Sequence, residues 1–104
     1  MTSKSKYHPI DIHVGKQLRK ARLELQIKNL SVGKDSKVTL QSIADKLDIT
    51  QQQLSKYEKG EGRICASRLY QLAQILKVSV SYFFRGYKSK TSSTLVESAL
   101  NINS

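Results

Sequence analysis

Acidic residues are scarce in this chain: eight aspartates and glutamates stand against eighteen lysines and arginines, giving a formal net charge of +10. So basic a balance points to an anionic partner, either nucleic acid or an anionic membrane surface. No apolar run approaches the length that crosses a bilayer, and the opening MTSKSKYHPI lacks the apolar centre of a signal peptide. The membrane is therefore the weaker of the two, and a cytoplasmic location is expected. A single cysteine, Cys65, excludes an internal disulfide framework and fits a reducing compartment. Chemistry-bearing constellations are missing as well: there are no paired carboxylates, no nucleophile with a base, no phosphate loop and no metal cluster. His8 and His13 have no partners at metal-ligand spacing. Neither catalysis nor a cofactor is expected.

What the chain does have is helical periodicity. With 104 residues, 38% of them hydrophobic, it can fill one modest core. Residues 1–10 read as a flexible basic arm closed by Pro9, residues 11–86 as the domain, and residues 87–104 as a linker and short tail. Apolar residues recur at helical spacing through Val14, Leu18, Ala21 and Leu25, then Leu40, Ile43, Ala44 and Leu47, then Leu54 and Tyr57, then Leu69, Leu72, Ala73 and Leu76. No stretch alternates like a strand. The fold class expected is all-α, a compact bundle of five helices over about 11–27, 39–47, 50–59, 65–76 and 79–85, with Gly60 and Gly86 as stops.

The helix starts share a hydrophobic staple, an apolar residue before the cap that packs on another at the fourth helical position. Thr39 lies between Val38 and Ile43, Thr50 between Ile49 and Leu54, Cys65 between Ile64 and Leu69, and Ser79 between Val78 and Phe83. Thr50 and Gln53 have capping-box spacing, whereas Cys65 is a poor acceptor that forfeits ~1 kcal/mol as a cap. Only Asp48 and Ile49 separate the second helix from the cap of the third, which demands the sharp crossing of a helix-turn-helix.

On that third helix Leu54 and Tyr57 mark the buried side, so Gln52, Ser55, Lys56 and Lys59 turn outward, with Gln51 on the flank. A glutamine amide donates and accepts at once, matching adenine N6 and N7 in the major groove, and lysine donates to guanine O6 and N7. The outward amide run is therefore suited to reading bases. The helix N-termini at Thr39 and Thr50 suit backbone phosphates, and Ser55 and Lys37, the latter in the loop of residues 28–38, join them as backbone candidates. Tyr7, Tyr70, Tyr82 and Tyr87 are expected to complete the core or an interface. The tail TLVESALNI, residues 94–102, places Leu95, Ala99 and Ile102 on one side of a short helix, too short to stand alone.

Three segments, VGKQLRKARLEL, LQSIADKLDITQQQLSKYEKG and SRLYQLAQILKVSVSYFF, together resemble the lambdoid phage repressor and Cro type of helix-turn-helix, the XRE family, over residues 11–86. The stretches HPIDIHVGKQLRKAR and KYEKGEGRICASRLYQLAQIL look most like a group of small proteobacterial regulators within it. The resemblance implies a transcriptional regulator, a repressor that binds double-stranded DNA as a homodimer. It sets Gln51, Gln52 and Lys56 at base-reading positions and Lys59 and Arg63 at the DNA backbone. It also implies an ion pair between Arg22 and Glu58, and a dimer contact through Ile64, Val80 and Phe83. The chain departs from the family pattern at Leu40, where relatives carry a glutamine, at Asp48, which replaces a turn glycine, and in its long connection over residues 28–38, which either lengthens the first helix or makes a basic loop beside the DNA. An alternative reading is an antitoxin-type module that neutralises a protein partner through its apolar tail.

Overall fold

The structure is a computed structural model that describes residues 7–33 and 38–88. Among these residues all regular structure is helical: α1 spans Pro9–Ser31, α2 Leu40–Leu47, α3 Gln51–Lys59 and α4 Ala66–Leu76, followed by a 3-10 helix over Val80–Phe84. The five expected helices are thus four α-helices and a 3-10 helix. The last element is tighter because it is five residues of mostly β-branched and aromatic character, and its cap supplies no side-chain bond; the Ser79 hydroxyl pairs with that of Ser81 at 2.9 Å instead.

The first helix exceeds its expected bounds at both ends. It begins inside the segment read as a flexible arm, because Pro9 at the first helical position needs no N–H partner and His8 Nδ1 accepts the Ile10 N–H at 3.1 Å. Asp11 in the first turn adds charge of the sign the helix N-terminus favours. At the other end it runs on to Ser31, since nothing before Gly33 breaks it. The chain then returns so that Val38 N–H donates to Gln26 Oε1 at 2.6 Å. Lys34 and Lys37 of the connecting loop, residues 1–6 of the arm and residues 89–104 of the tail lie outside the described residues.

Helix α1 lies against α3 and the 3-10 helix, while α2 packs on α3 and α4. Leu18, Ala44, Leu54, Leu72 and Phe83, one from each of the five elements, are fully or almost fully buried where they meet. Two glycines allow α1 and α3 to approach closely. A Cβ on Gly15 would stand 2.4 Å from the Tyr57 carbonyl oxygen and 2.7 Å from that of Glu58. Gly60 ends α3 in the left-handed conformation with φ of 77°, and a Cβ there would come within 2.6 Å of Ile12 Cα.

Candidate nucleic-acid interface

The geometry of the α2–α3 pair starts from its turn. Asp48 takes the left-handed conformation at φ 58° and ψ 45°, and its N–H and that of Ile49 bond back to Asp45 and Ala44 carbonyls. A short polar side chain tolerates this conformation better than most, so the missing glycine costs little. Ile49 then packs against the core and Thr50 opens α3 immediately. Three residues turn the chain from one helix into the next.

Both helix starts are capped by threonine. At α2 the box is complete: Thr39 Oγ1 accepts the Ser42 N–H at 3.1 Å, and Ser42 Oγ accepts the Thr39 N–H at 3.0 Å. At α3 only half of the expected box forms. Thr50 Oγ1 accepts the Gln53 N–H at 3.0 Å, but the Gln53 amide lies over Gly62, where its nitrogen would be 3.6 Å from a Cβ. Cys65 does stand at the cap of α4 and makes no cap hydrogen bond. Its thiol, 3.4 Å from the Ser67 hydroxyl, is held below the ordinary thiol range first by that hydroxyl and then by the Arg68 backbone.

Along α3, Leu54 and Tyr57 face inward, while Gln51, Gln52, Lys56 and Lys59 are exposed and Ser55 is half-buried. The inward edge is anchored from two sides. Arg22 Nε and Nη2 donate to the two carboxylate oxygens of Glu58 at 2.7 and 2.9 Å, a bidentate pair with 14% and 6% of the two side chains exposed. From α4, Arg68 Nη1 donates to the Tyr57 hydroxyl at 3.3 Å. The C-terminal half of α3 is therefore tied to α1 through Glu58 and to the Arg68 side chain of α4 through Tyr57, and its N-terminal glutamines, Gln51 and Gln52, are left facing solvent.

The surroundings of that bare edge are basic and polar. Thr39 and Thr50 are exposed at the two helix N-termini. Arg63, 79% exposed at the side chain, follows α3 and reaches Asp11 at 3.3 Å. Such a surface pair contributes at most about 1 kcal/mol, so the guanidinium is easily exchanged onto another anion. Leu40 packs inward on the core, and beside it Gln41 is tied to Asp45 at 2.7 Å, so no α2 glutamine reaches Gln51. Lys37 lies outside the described residues.

The dimer residues drawn from the resemblance differ in exposure. Phe83 is fully buried in the domain core and set edge-on to Tyr82 at 6.0 Å between ring centres. Its neighbour Phe84 is 40% exposed and lines the same shallow cavity as Ile64; Val80 is 38% exposed. Of the tyrosines, Tyr82 and Tyr87 pack on α1: the Tyr82 hydroxyl donates to Glu24 Oε1 at 3.3 Å and the Tyr87 ring lies 5.5 Å from that of His13. Tyr70 is exposed, its hydroxyl accepting from Gln74 Nε2 at 2.8 Å.

Two short helices joined by a left-handed turn, the second showing a bare amide edge and locked from behind by flanking helices, define a helix-turn-helix domain. A family model described as Helix-turn-helix matches residues 34–83, and that segment is a helix-turn-helix of the Cro/C1 (XRE) type. It is 44% identical over 82 residues to an HTH-type transcriptional regulator of Sinorhizobium medicae, an alignment covering 79% of this chain and 51% of that protein. It is 36% identical over 77 residues to a transcriptional regulator in the ATPase CF(0) region of Rhodospirillum rubrum, covering 74% of this chain and 61% of the relative. An HTH-type regulator of Rickettsia conorii is 39% identical over 77 residues, covering 74% and 53% of the two chains. The chain thus spans between half and two thirds of the length of these relatives. No solved structure matches it.

Proposed function

We propose that this protein is a sequence-specific DNA-binding transcriptional regulator, a repressor that acts as a homodimer in the cytoplasm and sets α3 into the major groove. The observation that carries this reading is the division of α3 into two edges: Leu54, Tyr57 and Glu58 are held against the domain, and Gln51, Gln52 and Lys56 project into solvent. Bidentate amide and ammonium contacts from this edge read base identity. Thr39, Thr50, Ser55, Lys59, Arg63 and Lys37 serve the phosphates, and the excess of eighteen bases over eight acids supplies the sequence-independent attraction.

Two-fold pairing through the surface of Ile64, Val80 and Phe84 would bring two α3 helices to successive major grooves about 34 Å apart. Inverted-repeat operators follow from that symmetry. Selection of bound sequences from random DNA, at a stated salt concentration, tests the reading. Enrichment of an inverted repeat with half-sites one helical turn apart supports it, and recovery of no sequence preference rejects it.

A further inference from the structure

The outer face of α1 carries an apolar stripe that no described element covers. Leu23, Ile27 and Leu30 recur at intervals of four and three residues and are 38%, 65% and 64% exposed, on the side of the helix away from Leu18 and Ala21. Three exposed large aliphatics in a row on one helix are more than scattered surface residues amount to. Below them on the same helix stand Lys16, Arg19 and Lys20, all exposed, so the face is apolar at one end and cationic at the other.

We propose that the chain's own residues 94–102 cover this stripe, docking on α1 as a short helix. These residues lie outside the described structure, and three observations select them. First, their apolar spacing is the counterpart of the stripe: Leu95, Ala99 and Ile102 repeat the same intervals of four and three, so two helices can meet along matching rows. Second, the charges agree. Between residues 91 and 104 the chain has no lysine or arginine and only Glu97 as a charged group, so this segment brings no like charge to the cationic end, unlike the rest of a strongly basic chain.

Third, the described chain ends on α1, within reach of the stripe. His13 Nε2 bonds the Arg85 carbonyl oxygen at 2.8 Å and the Tyr87 ring packs on His13, which fixes the exit of the tail on α1. His13, Lys20 and Ile27 succeed one another every seven residues and therefore share one side of the helix. From His13 to Leu23 is about 15 Å along the axis, and the six steps from Lys88 to Thr94 span up to about 20 Å. The connection is long enough in the same molecule and needs no exchange between copies.

Hydrogen exchange of the full chain, followed amide by amide at two protein concentrations tenfold apart, tests the docking. The amides of residues 98–102 should be protected about tenfold or more over free peptide rates, equally at both concentrations. Ile27→Asp should abolish that protection and leave the amides of Leu18 and Leu54 as slow as before; Ala99→Asp, which touches only the tail, should do the same. Unprotected tail amides in the parent chain, or protection that survives both substitutions, overturns the proposal. Protection that rises with concentration assigns the stripe to a second copy and overturns it as well. Because no DNA enters the experiment, its failure is independent of the regulatory reading.

Discussion

Gly15→Ala pits two effects of opposite sign against each other. Inside an exposed helix, alanine in place of glycine favours folding by about 1 kcal/mol. At this position the added Cβ would meet the backbone of α3, 2.4 Å from the Tyr57 oxygen, 2.7 Å from the Glu58 oxygen and 2.9 Å from the Glu58 carbonyl carbon. All three are main-chain atoms and cannot swing aside as a side-chain tip would, so α1 and α3 must separate. Forced separation in a packed core costs up to about 3 kcal/mol, and with a clash against main-chain atoms the net expectation is a destabilisation of about 2 kcal/mol. In a domain of this size that lowers the melting temperature by roughly 8–15 °C. Urea denaturation of parent and variant, with the slope compared as well as the midpoint, measures it. A neutral or stabilising Gly15→Ala would show that the helices are not in close contact at residues 15 and 57, and with it the anchoring of α3 would fall.

Other consequences are equally concrete. Arg22→Ala leaves the Glu58 carboxylate, 6% exposed, without its bidentate partner, and should cost about 3 kcal/mol, whereas Arg22→Met with Glu58→Leu should lie much closer to the parent; equal losses in the two unfolding curves would contradict the burial argument. Arg63→Ala should weaken binding on all DNA sequences and make the salt dependence shallower by about one unit in log–log slope, because a phosphate that the protein does not neutralise keeps its counterion. An unchanged slope takes Arg63 out of the interface. Ser67→Ala removes the first cause that holds the Cys65 thiol low, so its pKa should rise and alkylation near neutral pH should slow; an unaltered rate against pH would refute that assignment.

Much of this architecture is legible in local chemistry. The staples at Val38 with Ile43 and Ile49 with Leu54 place the starts of α2 and α3, because a cap and an apolar pair act over a few residues and need no tertiary information. Asp48 in the turn and the Arg22–Glu58 pair are likewise visible, both only through the family resemblance. Phe83 shows where two signals conflict. The Val78 staple requires it inside, where it lies, because a buried aromatic dominates the packing of so small an element, while the resemblance assigns it to a dimer contact.

The end of α1, left open between a longer helix and a loop, is misplaced for a different reason. Ile27 and Leu30 continue the helix but face away from the core, so a boundary drawn where core-facing periodicity stops falls too early. Gly15 gives no signal at all, since its purpose is set by the Tyr57 and Glu58 backbone, far along the chain. Within α3 the exposed edge of Gln51, Gln52 and Lys56 is legible from Leu54 and Tyr57 alone, because two buried residues fix the rotation of a nine-residue helix.

The account turns on whether that edge reads bases, and Gln52→Ala on a selected operator and on random duplex, at one salt concentration, asks this directly. The predicted result is a loss of about 1–3 kcal/mol on the operator, with relaxed preference at one base position and binding to random DNA nearly unchanged. An equal loss on both duplexes, or none on either, would contradict it.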